Sequence, residues 1–185
     1  MVDPKILGNI PFFTELNDKE REVVAKMLGK KEYKRGETIF SESEDGESLY
    51  VLKKGEVKAC KVSPDGELFT LTLMKEGEIF GEMSFLDGRP RSATVVAVSD
   101  IEVLVLERKD FERVVETHPW IVYKLMRNVV FTVHSIVRGM NTRYMEMINY
   151  MWGRKRYDRH DNGYGGIDRG RHNHRKGDDS GRRAL

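Results

Sequence analysis

The chain has a single cysteine, Cys60, so no intramolecular disulfide can staple it, and a reducing compartment is the expected setting. It lacks any run of 18 apolar residues, which excludes a helical membrane span. Its opening residues, MVDPKILG, have neither the basic patch nor the apolar stretch of a secretory leader. A soluble, cytoplasmic protein is expected. There is no nucleophile–base pair and no catalytic metal signature, so an enzyme is not expected. His172 and His174 share a segment too polar to preorganise a metal site, and Cys60 has no catalytic partner nearby in sequence and is expected to be buried.

Against these absences stand 39% hydrophobic and 34% charged residues in 185, enough for one cored domain and a small appendage. The net charge of +2 hides an asymmetry: residues 153–185 hold ten Lys/Arg against five Asp/Glu, leaving a mildly acidic body. Only that tail invites a polyanion argument. With seven glycines and few apolar residues it is expected to be disordered.

Residues 17–28 read as a short amphipathic helix, capped by Asn17 with Glu20 completing a capping box. From Glu32 to Leu106 the period changes to short β-rich runs: TIF, SLYVL, VKACKV, LFTLTL, TVVAV and IEVLVL. Turn signals such as Asp45-Gly46, Lys54-Gly55 and Pro64-Asp65-Gly66 separate them, and a sandwich or barrel of jelly-roll type is expected. Residues 82–86, after Gly81, resemble one helical turn inside the β region. Residues 109–117 form a short helix, and Pro119 opens a long one running to about Trp152. On it Met126, Val129, Val133, Ile136, Met140, Met147 and Tyr150 recur at spacings of three and four, broken only at Arg143.

The chemistry concentrates in residues 77–94. A nucleotide phosphate needs exposed backbone N–H groups, which a helix starting after Gly81 presents at its positive end. It needs close approach, which Gly81 permits, and a forked cation, which Arg91 offers. Ser92 adds a hydroxyl and Ala93 an unobstructed N–H. Glu82 repels phosphate but suits a ribose hydroxyl. Each residue also has a plainer role. Glu82 could be a carboxylate at a helix N-terminus, and Arg91 a surface arginine paired with Asp87.

The run Phe-Gly-Glu-Met-Ser-Phe-Leu, followed after four residues by Arg-Ser-Ala, resembles the phosphate-binding cassette of cyclic-nucleotide-binding domains. That family includes the bacterial catabolite activator protein and the regulatory subunits of protein kinase A. The resemblance covers about residues 5–150. It implies a mainly β fold with flanking helices: an eight-stranded jelly-roll (double-stranded β-helix) barrel, an N-terminal helix and a long C-terminal dimerisation helix. It divides the chain into a β-roll over 5–118, a long helix over 119–152 and the tail 153–185. It implies Gly81, Glu82, Met83, Ser84, Arg91, Ser92 and Ala93 as ligand residues, the phosphate on Arg91 and the ribose on Glu82. Serine after Arg91 leans toward cAMP over cGMP. Aligned through Met126-Arg127, Thr132 falls where the activator-protein family reaches the purine, although Val133 departs from the pattern. The helix stripe implies a homodimer through Met126, Val129, Val133, Ile136 and Met140. A regulatory module that binds cyclic nucleotide and moves its last helices is therefore expected. The alternatives are a transcription regulator of the activator type and a partner-docking domain that has lost the nucleotide. The residues after the long helix are too few and too polar for a reader of the major groove, so DNA binding is not expected.

Overall fold

A computed structural model describes residues 2–160. The chain divides into two compact units, Met1–Arg138 and Gly139–Leu185. In the first, α1 (Pro4–Leu7), a 3-10 turn (Pro11–Phe13) and α2 (Asp18–Met27) precede eight strands. These are β1 (Leu28–Tyr33), β2 (Thr38–Phe40), β3 (Ser48–Lys54), β4 (Val57–Val62), β5 (Leu68–Met74), β6 (Ile79–Phe80), β7 (Thr94–Ala97) and β8 (Ile101–Glu107). Helix α3 (Glu82–Asp87) sits between β6 and β7, and α4 (Arg108–Thr117) and α5 (Pro119–His160) follow β8. The strands form two four-stranded antiparallel sheets, ordered β1-β8-β3-β6 and β2-β7-β4-β5. The eight strands expected from sequence are present as a pair of four-stranded sheets, but the sheets do not close into one barrel. β1, at Leu28–Tyr33, and the two-residue β6 were not among the β runs read from the sequence.

Strands β3 and β8 of the first sheet are buried on both faces, which is why SLYVL and IEVLVL are almost unbroken apolar runs. Tyr50, Leu52, Val103 and Val105 meet Phe40, Val57, Val95 and Ala97 of the second sheet. Leu49, Val51, Leu104 and Leu106 face the other way, against Leu7, Phe13, Leu16 and Val24 of the helical N-terminus and Ile121, Leu125 and Val129 of α5. Each fully buried Leu or Val contributes about 1.5–3 kcal/mol relative to exposure. Cys60 is buried, its Sγ 3.8 Å from the Thr70 hydroxyl.

The capping box of α2 forms as expected: Asn17 accepts from the Glu20 N–H and Glu20 from the Asn17 N–H, at 3.0 and 2.8 Å. Glu20 also takes the Lys124 ammonium, and the Asn128 amide donates to the Phe12 carbonyl at 2.9 Å. These bonds fix the first turns of α5 onto the N-terminal segment.

The expected helical interface needs correction. Val129 is only 1% exposed, and Met126 and Val133 pack partly against the same core. Val129 is held within the chain, and Met126 and Val133 partly so, because Ile121, Leu125 and Val129 share the face that meets α2 and the first sheet. Ile136 and Met140 remain exposed, as do Val130 and Val137. In the second unit, described by itself, the helix continues to His160 rather than stopping near Trp152, and Tyr144, Met147 and Met151 are exposed. Both tryptophans, Trp120 and Trp152, lie exposed on α5. The remaining tail, residues 161–185 with His172 and His174, lies outside the described residues. Among the described residues no helix is long and apolar enough to cross a membrane, and no cluster of His, Cys, Asp and Glu could hold a metal.

Candidate functional site

Strand β6 delivers the chain to Gly81, whose φ of +75° is a left-handed conformation that glycine adopts without penalty. A Cβ there would lie 2.6 Å from Arg91 Nη1 and 3.0 Å from the Ser48 carbonyl, so the position needs glycine on steric grounds too. From Gly81 the chain enters α3. Its first N–H groups, those of Glu82, Met83 and Ser84, have no acceptor within a helix that starts there. Glu82 and Ser84 are buried, whereas Met83 is exposed and accepts a 3.6 Å hydrogen bond from the Ser92 hydroxyl. Ala93 is buried where the chain enters β7.

Arg91 is the centre of the arrangement. It is 4% exposed, far from the surface pairing with Asp87 that its sequence neighbours allow; Asp87 instead faces Arg89. Its Nη1 donates to the Gly81 carbonyl and its Nη2 to the Ser48 carbonyl, both at 2.9 Å. The guanidinium lies 4.3 Å from the Phe40 ring centre and 5.7 Å from that of Tyr50. The β2–β3 loop closes over it. The Arg91 N–H donates to the Glu44 carbonyl, and the Arg91 carbonyl accepts from the Ser43 N–H. Gly46 sits so close that a Cβ there would fall within the guanidinium.

Charge and burial set the chemistry. Burial pushes the Glu82 carboxyl above its ordinary value, with its own backbone N–H and the nearby Arg91 cation pulling the other way. Burial lowers Arg91, while Tyr50, Glu107, Glu44 and Glu82 draw it back up. An arginine stays charged under such influences. Two of its five N–H groups are used, and the buried Nε has no acceptor. A buried, charged guanidinium beside the N-terminus of a helix has the chemistry to hold an anion, and a carboxylate next to it suits a sugar hydroxyl. The residues present fit a sugar phosphate.

The family model of the cyclic nucleotide-binding domain matches residues 30–118, which contain this whole arrangement. The chain belongs to the cyclic nucleotide-binding domain family. It is 35% identical over 115 residues to a cyclic AMP receptor protein of Thermus thermophilus, covering 62% of this chain and 53% of that one. It is 36% identical over 107 residues to a cAMP-dependent protein kinase regulatory subunit of Aspergillus niger, covering 58% and 25%. The chain thus spans about half of the first relative and a quarter of the second. Among solved structures, the N-terminal domain of a transcriptional regulator from Streptomyces coelicolor superposes with a TM-score of 0.62 at 30% identity, covering 73% of this chain and 94% of that one.

Within this cyclic nucleotide-binding domain the sequence-derived residues fall into two places. Gly81, Glu82, Met83, Ser84, Arg91, Ser92 and Ala93 gather around α3. Thr132 lies elsewhere: its hydroxyl donates to the Asn128 carbonyl at 3.0 Å, and it lines a cleft of about 380 Å³ with Phe12, Thr72, Leu73, Phe131 and Ile136. None of the cassette residues lines that cleft. The residues missed from sequence are Phe40, Gly46, Ser48 and Tyr50, which hold Arg91 in place. Only Gly46 left a sign, as a turn residue after Asp45.

Proposed function

We propose that this chain is a regulatory module that captures a cyclic nucleotide, cAMP in preference to cGMP, and signals through its C-terminal helices. The observation that carries the proposal is Arg91: buried and charged, its Nη1 on the Gly81 carbonyl, beside Glu82 and the first turn of α3. In this reading Arg91, with the N–H groups of Met83, Ser92 and Ala93, takes the cyclic phosphate. Glu82 accepts from the ribose 2′-hydroxyl. Differential affinity for two positions of α4 and α5 then turns binding into a signal. Calorimetric titration with cAMP and cGMP tests the proposal, with Arg91→Ala as control. Loss of one charged contact of this kind weakens binding by roughly 30- to 1,000-fold, about 2–4 kcal/mol. Failure of both nucleotides to bind, or an Arg91→Ala affinity equal to that of the unmodified protein, overturns it.

The second part of the proposal is a homodimer through α5. Val130, Val133, Val137, Met140, Tyr144, Met147 and Met151 follow the three-four heptad spacing without a break. All are exposed except the partly buried Val133. This seam is displaced by one residue from the stripe read in the sequence at Val129 and Ile136. A parallel helix of a second copy is the occupant that matches a heptad repeat of its own kind.

A further inference from the structure

The junction of β8 and α4 touches the cassette with two consecutive side chains. Glu107 is the N-cap residue of α4, yet its side chain makes no capping bond. Its carboxylate instead accepts from the Ser48 hydroxyl at 2.7 Å, and the Ser48 carbonyl is one of the two that hold Arg91. Arg108, the first residue of α4, reaches back to α3: its Nη2 donates to the Ser84 carbonyl. That carbonyl also accepts from the Gly88 N–H at 3.0 Å, so it is the point where α3 ends. The Arg108 N–H donates to the Glu47 carbonyl at 2.9 Å. A Cβ on Gly88 would come within 3.1 Å of Arg108 Nη1, so the glycine leaves room for the guanidinium. The Arg108 Nε is buried without an acceptor. Arg108 as a whole is half-buried, and the bond of its Nη2 ties it to α3.

We propose that Arg108 is the positioning residue that ties the end of α3 to the start of α4, so that occupancy of the nucleotide site is felt in the C-terminal helices. The proposal rests on the reading of α3 as part of a nucleotide site. Arg108 does not touch the ligand in this scheme. It fixes the C-terminal end of the turn whose N-terminal end meets the phosphate, and any shift of α3 pulls on the first residue of α4. By linkage, weakening this tie lowers the effect of ligand on α4 and the effect of α4 on ligand by one common factor.

The test uses the full chain, with Arg108→Gln and the more conservative Arg108→Lys, by hydrogen exchange with and without cAMP. In the ligand-free protein, Arg108→Gln is expected to raise exchange of the Gly88 amide about tenfold, while the β3 and β8 amides stay unchanged. On adding saturating cAMP, protection gained by residues 111–117 in the unmodified protein is expected to fall at least threefold in the Gln variant. Lys, which can still donate to the Ser84 carbonyl, restores part of both effects and supplies the measurement should the Gln variant fail to fold. A uniform rise in exchange across the sheets would mark Arg108 as a general structural residue and overturn the proposal. So would an unchanged Gly88 amide, or undiminished protection of residues 111–117. Absence of cAMP and cGMP binding by the unmodified protein defeats the nucleotide reading instead; the ligand-free exchange of Gly88 still decides whether Arg108 holds α3.

Discussion

Adding one methyl group at Gly46 is expected to disable the site without touching any residue of the cassette. Gly46 has an ordinary φ, so its backbone tolerates alanine. Such a change alone stabilises a fold by about 0.4–1 kcal/mol through the unfolded chain. The new Cβ, however, falls within the Arg91 guanidinium, and the guanidinium must move. Displacing the end of a flexible side chain is usually cheap. Here Arg91 is buried, bonded to the Gly81 and Ser48 carbonyls at 2.9 Å and stacked on Phe40. Hydrogen bonds to a charged group are worth roughly 1.5–3 kcal/mol each. Losing one of the two outweighs the backbone gain by about 1–2 kcal/mol, and displacing the guanidinium lowers nucleotide affinity by at least about tenfold. Calorimetric titration of Gly46→Ala, Arg91→Ala and the double variant forms a cycle. Because Gly46 acts through Arg91, Gly46→Ala is expected to cost nothing further once Arg91 is alanine. Unchanged affinity in Gly46→Ala, or a loss that adds fully to that of Arg91→Ala, would refute the reasoning.

Two further outcomes are expected. Burial raises the folded-state value of Glu82 above its ordinary 4.5, so the folded chain holds the extra proton between those values. Stability therefore falls as pH rises through that window. Glu82→Gln removes this slope and raises the ligand-free Tm at pH 7, while weakening cAMP more than 2′-deoxy-cAMP; melts from pH 4 to 8 with an unaltered slope, or equal losses for both ligands, contradict this. On α5, Val137→Asp with Met140→Asp is expected to convert a dimer to a monomer that melts like the unmodified protein, whereas Val129→Asp buries an unpaired charge and unfolds the chain at a cost of 3 kcal/mol or more. Light scattering that finds the unmodified protein monomeric at tens of micromolar sinks the pairing.

The candidate cassette could be read because its residues, Gly81 to Ala93, lie in one stretch around α3. Its support was not, because Gly46 and Ser48 reach Arg91 from 45 and 43 residues away, and Arg108 reaches Ser84 from 24. Only the register of the sheets brings these segments together. β1 escaped notice because Lys30, Lys31 and Glu32 are all exposed at a sheet edge and show no alternation. The helix seam was misplaced for a different reason. Val129-Val130 and Ile136-Val137 are apolar doublets, and either member completes a heptad. Ile121 and Leu125 decide the matter by drawing Val129 into the chain's own core.

The placement of the tryptophans makes the molecule its own spectrometer. Trp120 and Trp152 both belong to α5, and Trp120 lies 5.9 Å from Tyr123 on that helix. The sheets have no tryptophan; their tyrosines are Tyr33 and Tyr50, the latter stacked 5.0 Å from Phe80 and 5.7 Å from the Arg91 guanidinium. Emission excited at the red edge therefore comes from α5 alone, so a change of environment along that helix can be timed in an unlabelled sample.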